Sequence, residues 1–403
     1  MSGGHGNAAS WGRVDARSFQ HLAPPSRVFK GPDSLASLGR ELDRVNSKRA
    51  VIFCGSSLSR EGQLLNLLKD AIGPRCAGIF DGVRAHSPVP EVEAAARTLG
   101  QLGADAVIAV GGGSAIVTAR AACILLAESR GVRELCTVRT PTGELRSPKL
   151  LAAKMPQFVV PTTPTTAIVK AGSALFDPRT RERLALFDPK TRASAVFLHP
   201  AALVTAPREL LLSASLNTFA MAIEGLTSTA GDPFADAQLM HALRLLARHL
   251  QSPSSPDEQD FRADLVIAAM LCGRGTDHTG AGITTVLGHA IGARHDVENG
   301  LVNGIVLPHA IRFNGEASKP GLFNVADALG RDSWSAALVD IVAGFLEDLL
   351  TRNGTPQRLR DIGVAREALP ELAANAMSDW FLRGNPRPVR DASELERFLQ
   401  DIW

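Results

Sequence analysis

The sequence predicts an α/β fold class for the first half of the chain and an all-α class for the second. Three observations carry this. From about Ser26 to His199 short β-branched runs alternate with helical runs, and from about Thr205 apolar residues recur every three or four positions. In the first half, one strand runs straight into Gly111–Gly112–Gly113–Ser114 and then a helix. Strands alternating with helices imply a parallel sheet with crossover helices; the second spacing marks amphipathic helices. At 403 residues the chain exceeds one ordinary domain. It divides at 26–204 and 205–403, with a loose leader over 1–25.

In chain order, Ala50–Cys54 (AVIFC) is a buried strand, followed by the turn Gly55–Ser56–Ser57 and an amphipathic run through Leu64, Leu65, Leu67 and Leu68. Ala77–Phe80 is the next strand, 90–102 has helical spacing, and Ala106–Val110 (AVIAV) is a third strand. The helix after the glycines runs through Ala119 and Ala122. A polar loop from about Gly131 to Met155 leads to the strand Phe158–Val160 and the turn Pro161–Thr166. Helical spacing then covers 210–226, 235–250, 261–271, 283–291, 336–350 and 369–380, with Ser252–Pro256 as an inter-helix loop.

Composition excludes several functions. The formal net charge is +2, from 43 basic and 41 acidic residues, which gives no electrostatic footprint for nucleic acid or an anionic membrane. Cys54, Cys76, Cys123, Cys136 and Cys272 are scattered, odd in number and form no CxxC pair, which fits a reduced, cytoplasmic setting. The leader lacks the apolar run of a secretory signal, and no apolar stretch is expected to reach membrane-spanning length. There is no tyrosine. Any proton donor must come from another residue type or from water.

Four motifs carry chemistry. In strand–GGGS–helix, glycines let the backbone approach a phosphate while a helix N-terminus aims N–H groups at it; a plain Gly-rich turn closing a βα unit is the other reading. Pro161–Thr162–Thr163–Pro164–Thr165–Thr166 places hydroxyls at the carboxyl end of a strand, where ligands of open α/β sheets sit. The Gly55–Ser56–Ser57 turn has no acidic residue to grip a ribose 2′-hydroxyl, so NADP or relaxed cofactor choice is allowed. Arg60 can meet a 2′-phosphate or lie solvated at a helix start. In the helical half, Asn217 and Met221 share a helix face, as do Thr285 and His289, and Arg294, His295, Asp296 and Asn299 follow. Facing helices build sites this way, although spacing alone favours locally satisfied core residues at Asn217 and Thr285.

Four segments in register resemble the iron-containing (group III) alcohol dehydrogenases, from about Ser26 to the C-terminus. They are GGGSAIVTAR at Gly111–Arg120, PTT at Pro161–Thr163, SLNTFAMAIEGLTS at Ser215–Ser228, and GHAIGARHDVENGLVNGIVLPHAIRFN at Gly288–Asn314. The resemblance implies a Rossmann-like dinucleotide-binding domain and a C-terminal helical domain (dehydroquinate synthase-like), with the active site between them. It implies NAD or NADP as cofactor, bound by Gly55, Ser56, Gly111, Gly112, Gly113, Ser114, Thr162, Thr163 and Thr166. A small-molecule substrate and a homodimer are implied as well.

The departures are informative. Family metal sites use one aspartate and three histidines, whereas the matching positions hold Asn217, Met221, Thr285 and Asn299. Iron and zinc want carboxylate and imidazole donors, so no catalytic metal is expected. These four residues and Arg294 are assigned to the substrate instead, with a surface salt bridge an equal reading for Arg294. The chain is similar to the metal-independent maleylacetate reductases at Asn217 and in its spacing after PTT, but it lacks two histidines they usually keep, at Thr285 and Asn299. The family's usual aspartate after GGGS is Val117 and its lysine is Arg120. The usual TGSE-like segment reads Thr165–Val169.

Without a metal, hydrogen-bond donors must stabilise the alkoxide-like oxygen, and losing one such donor typically costs about 10²–10³ in rate. His289 matches a family histidine near the reacting centre and is expected to be the acid–base, followed by His295 and His278. His309 is expected to be structural, and Lys170 and Arg183 to be solvated in preference to facing the cleft. The activity expected is hydride transfer between nicotinamide and a small aldehyde, ketone or keto acid. An oxidation with decarboxylation of a hydroxy acid is the first alternative, and a non-catalytic binding relative the second.

Overall fold

The computed structural model describes residues 18–140, 145–251 and 258–403. Residues 1–17, most of the expected leader, lie outside these, as do 141–144 of the expected polar loop and the expected loop Ser252–Pro256. The first half runs β1 (Arg27–Lys30), α1 (Leu38–Arg44), β2 (Ala50–Gly55), α2 (Ser56–Glu61), α3 (Gln63–Ile72), β3 (Cys76–Val83), α4 (Val89–Gln101), β4 (Ala106–Gly111), α5 (Gly113–Glu128) and α6 (Val132–Leu135). A short antiparallel pair, β5 (Val138–Arg139) and β6 (Leu145–Arg146), precedes β7 (Gln157–Pro161). Then come an antiparallel hairpin, β8 (Gly172–Asp177) with β9 (Glu182–Phe187), β10 (Ala193–Leu198) and α7 (Pro200–Leu203). The hairpin escaped the sequence pattern, its Pro178–Arg181 turn and the charges of β9 breaking the apolar alternation.

The main sheet has the order β1-β10-β7-β4-β2-β3 and is parallel throughout. Both its faces are covered, which is why its central strands are apolar without alternation. Val51, Phe53, Val107, Ala109 and Val159 face a core shared with α4 and α5. Ile52, Ile108, Phe158 and Phe197 face the opposite core, with Leu38, Leu42, Leu65 and Leu68. Each fully buried side chain of this size contributes roughly 1.5–3 kcal/mol.

The second half is helical: α8 (Arg208–Thr227), α9 (Pro233–Gln251), α10 (Glu258–Thr279), α11 (Ile283–His295), α12 (Asn299–Asn314), α13 (Lys319–Ala328), α14 (Leu338–Arg352), α15 (Leu369–Ala376) and α16 (Ala392–Asp401). One expectation is corrected. Helix α8 is long and apolar enough to cross a membrane by length and composition, but 78% of its apolar window is buried inside the fold. A helix apolar all round is what a central core position requires, and α9, α10, α12 and α13 surround it.

A second expected boundary also moves. The run expected to continue to Trp380 ends at Ala376, and Asp379 opens a 3₁₀ turn over Trp380–Gly384 by accepting the Phe381 N–H at 3.0 Å. An aspartate bonded to backbone two residues on competes with helix continuation.

Candidate active site

Gly55 closes β2, Gly111 closes β4 and Pro161 closes β7, and these strands are neighbours. Their three loops therefore lie side by side at the carboxyl edge of the sheet. Gly111 sits at φ +141°, a backbone conformation that side-chain-bearing residues rarely adopt. A Cβ on Gly112 would lie 2.8 Å from Thr163 Oγ1. The Thr162 N–H donates to Gly111 O at 3.1 Å, so the PTT turn and the glycine turn form one interlocked cradle. Helix α5 starts here without a side-chain cap, which leaves its N-terminus to an anion. The carbonyl of Ser114 is held by Ser87 Oγ at 3.1 Å. Thr162, Thr163 and Thr166 are buried, Gly55 is half-buried and Ser56 is exposed. Arg60 is exposed in the last turn of α2, not at a helix start. The cradle fits a phosphate-bearing cofactor.

The four residues at the family's metal positions fall on the seam of α8, α11 and α12. Their donors do not fit a metal. Asn217 Nδ2 donates to Met221 Sδ at 3.8 Å, and the side-chain amides of Asn217 and Asn303 meet at 2.9 Å. Thr166 Oγ1 reaches Met221 Sδ at 4.0 Å from the sheet side. Thr285 Oγ1 donates to Glu224 Oε2 at 2.6 Å, and the Thr284 and Thr285 N–H groups donate to the same carboxylate at 2.5 and 3.1 Å. Glu224 is thus the buried cap of α11, and burial pushes its pKa up. Thr285 is fully buried on that cap, which corrects its assignment to substrate. Asn299 is half-buried and packs against Gly292 with its Oδ1 enclosed and unbonded.

His289 sits on α11, mostly buried, with Nδ1 2.9 Å from Asp379 Oδ2. Arg183, from the β8–β9 hairpin, donates to the same oxygen at 3.2 Å and lies over Trp380, 5.2 Å from its ring centroid. Burial first, then the Arg183 charge, pushes the imidazole below its ordinary pKa, against the pull of Asp379. The His289 ring packs on Phe381 at 5.8 Å, and Lys170 Nζ lies 6.0 Å from the Phe381 ring centroid. Lys170 is 3.6 Å from Asp277, which Arg192 also binds at 2.7 Å. Arg120, fully buried, donates to Gly172 O and Ala167 O, both at 2.6 Å. Burial lowers its pKa to about 10, so it stays charged at neutral pH. Arg120, Lys170 and Arg192 thus gather near Asp277, while Arg183 is the cation beside Asp379 and the imidazole.

Several expected placements change. Lys170 and Arg183 were expected in solvent; they are partly buried members of this cluster, ordered by Asp277 and Asp379. Arg294 spends its guanidinium on the exposed Glu371, so it is a surface ion pair and not a substrate clamp. His295 ends α11 half-buried, its pKa lowered by burial and by Arg294 and Arg181, without joining His289. His278 turns to the N-terminal segment, with Nε2 3.2 Å from Leu22 O and its ring stacked on His21 at 3.9 Å. It is removed from the acid–base set. His309 lies half-buried on α12 beside Arg312, Glu347 and Arg358. Asp379 was missed because it lies 90 residues from His289; its one local signal is the Asp-Trp-Phe turn.

A parallel sheet with loops clustered at its carboxyl edge, set against a helical half that carries a buried His–Asp pair, defines a two-domain nucleotide-binding enzyme. Residues 25–200 match the iron-containing alcohol dehydrogenase family and residues 211–401 match that family's C-terminal region. The chain belongs to this family, and so to the NAD(P)-dependent oxidoreductases acting on alcohols and aldehydes. The 1,3-propanediol dehydrogenase of Klebsiella pneumoniae is 24% identical over 393 residues, covering 95% of this chain and 99% of that protein. Maleylacetate reductase 1 of Cupriavidus pinatubonensis is 26% identical over 392 residues, covering 96% and 97%. The sulfoacetaldehyde reductase of Bifidobacterium kashiwanohense, solved in complex with NAD+, superposes with a TM-score of 0.83 at 20% identity, covering 96% of this chain and 99% of that one.

Proposed function

We propose that this chain is a metal-independent, nicotinamide-dependent carbonyl reductase or alcohol dehydrogenase that uses His289 as its acid–base. The observation that carries this is the 2.9 Å contact between His289 Nδ1 and Asp379. A carboxylate accepts, so Nδ1 carries the proton and Nε2 is left as the lone pair that takes or returns a proton at the substrate oxygen. Arg183 and the Phe381 ring hold this pair from two sides, which fixes the imidazole before substrate arrives.

A nicotinamide cofactor supplies or accepts the hydride when bound, and the glycine cradle with the α5 N-terminus is where its phosphates fit. The sulfoacetaldehyde reductase bound to NAD+ supports that choice. In reduction, the carbonyl carbon gains hydride and its oxygen takes the proton from protonated His289 Nε2; in oxidation neutral Nε2 accepts it. The amide, thioether and hydroxyl at the family's metal positions are turned on each other and on Glu224, so no step is assigned to a metal. The partly buried guanidinium of Arg183 beside His289 favours a keto acid over a neutral aldehyde, because a carboxylate gains most from a partly desolvated cation.

The test is turnover of NADH and NADPH by chelator-stripped protein with short aldehydes and keto acids. Activity is expected to persist, with keto acids preferred, and His289→Ala is expected to lower kcat/KM by about 10²–10⁴ with the melting temperature retained. Activity that returns only on adding iron or zinc overturns the reading.

A further inference from the structure

Away from His289, two imidazoles and a carboxylate from three separate segments converge. His21 comes from the N-terminal segment, Asp232 from the start of α9 and His278 from the end of α10. Their ligand atoms all lie within 4.8 Å of one another. Asp232 is 4% exposed, His21 12% and His278 16%. Asp232 divides its oxygens. Oδ1 accepts the N–H groups of Phe234 and Ala235 at 2.9 and 3.0 Å, and Oδ2 faces His21 Nδ1 at 3.1 Å and His278 Nδ1 at 3.9 Å.

The tautomer of His278 makes this group more than a pair of salt bridges. Its Nε2 lies 3.2 Å from Leu22 O, a carbonyl that only accepts, so the proton of a neutral ring is on Nε2. Its Nδ1 is then a bare lone pair 3.9 Å from a carboxylate oxygen, two acceptors side by side that a cation between them would satisfy. An imidazole that donates its far N–H to a backbone carbonyl while its near nitrogen faces a cluster has the outer-shell pattern of a metal-binding histidine. Zinc bonds of roughly 2.0–2.2 Å at tetrahedral angles put neighbouring ligand atoms about 3.3–3.6 Å apart; the 3.1 and 3.9 Å separations bracket that range.

We infer that His21, Asp232 and His278 form a binding site for a divalent transition cation of the zinc type, with water completing the coordination. The site lies outside the hydride-transfer centre and ties residues 18–25 to the helical half. Those residues were expected to be a loose leader; Phe19 and His21 pack on Phe234, and Arg274 donates to Ser26. The cation joins these contacts into one clasp over α9 and α10.

The experiment is a calorimetric titration of zinc chloride into the chelator-stripped full chain, its His21→Ala and Asp232→Asn variants, with hydrogen exchange of residues 18–25 as second readout. Asparagine caps a helix as well as aspartate does, so Asp232→Asn keeps the α9 cap while removing the anionic ligand. One zinc per wild-type chain is expected, with exchange of 18–25 slowed by the metal. Each variant is expected to bind at least about 100-fold more weakly, beyond the 10–100-fold typical of losing an outer-shell partner. No binding below millimolar zinc overturns the inference. So does a stoichiometry and affinity unchanged in both variants, or exchange of 18–25 indifferent to zinc. Loss of zinc in these variants leaves the reading of His289 standing, since none of the three residues touches it.

Discussion

His289 and Asp379 set the pH behaviour of the proposed reaction. The imidazole is held below its ordinary pKa of 6.5, chiefly by burial. Reduction, which needs the protonated ring, is therefore expected to fall as pH rises through a value below 6.5, and oxidation to rise through the same value and level off. Asp379 works against that depression. Asp379→Asn is expected to move the limb further toward acid and to lower the neutral-pH reduction rate, because the carboxylate that favours the protonated ring is gone. Rate profiles from pH 4.5 to about 9 check this; an unmoved limb shows that Asp379 does not act through His289. Stability follows the sign of oxidation, not of reduction. A histidine with a lowered folded pKa contributes fully above the unfolded value of 6.5, and that contribution is lost as pH falls through the folded one. In the sequence His289 was singled out by the family resemblance, its spacing from Thr285 showing only a shared helix face. Asp379 was not legible, because 90 residues separate them and no periodicity links a helix to a distant turn.

Among elements, the β4–α5 turn was the most legible, since GGGS after a buried strand has a local physical meaning. Its interlock with the PTT turn was visible only in the fold. Gly112→Ala would put a Cβ 2.8 Å from Thr163 Oγ1. The hydroxyl must turn away, and the predicted result is a KM for NAD(P)H raised about tenfold or more with kcat changed less, as expected when binding shared by ground and transition states is lost. A KM unchanged in initial-rate assays would detach this turn from the cofactor. Helix α11 gives a second case. Its sequence shows no capping residue, because the cap is Glu224 on another helix. Removing it by Glu224→Ala leaves the buried Thr284 and Thr285 N–H groups unpaired and is expected to cost about 2–4 kcal/mol in urea unfolding. The β8–β9 hairpin was the least legible element; its charged residues read as solvent-facing until Arg183 is seen on Asp379.

For the whole molecule, the net charge of +2 concealed a local imbalance. Arg183 comes from the α/β half, and only the fold sets it beside Asp379 and His289 of the helical half, while Lys170 and Arg192 of the same half reach Asp277. A guanidinium at the reacting centre attracts an anionic ligand in a salt-dependent way. Raising ionic strength is expected to lower kcat/KM several-fold for a keto acid and hardly at all for a neutral aldehyde; equal salt dependence would remove the steering.

Local chemistry determined which segments become strands and helices and which turn can cradle a phosphate. These follow from periods and glycine content that neighbouring residues carry by themselves. Tertiary packing decided which charges are buried together, which histidine has a carboxylate behind it, and which polar residues are already spent on one another. Those properties depend on distances between segments far apart in the chain, which hydrophobic burial of both sheet faces and of α8 imposes and no sequence window contains.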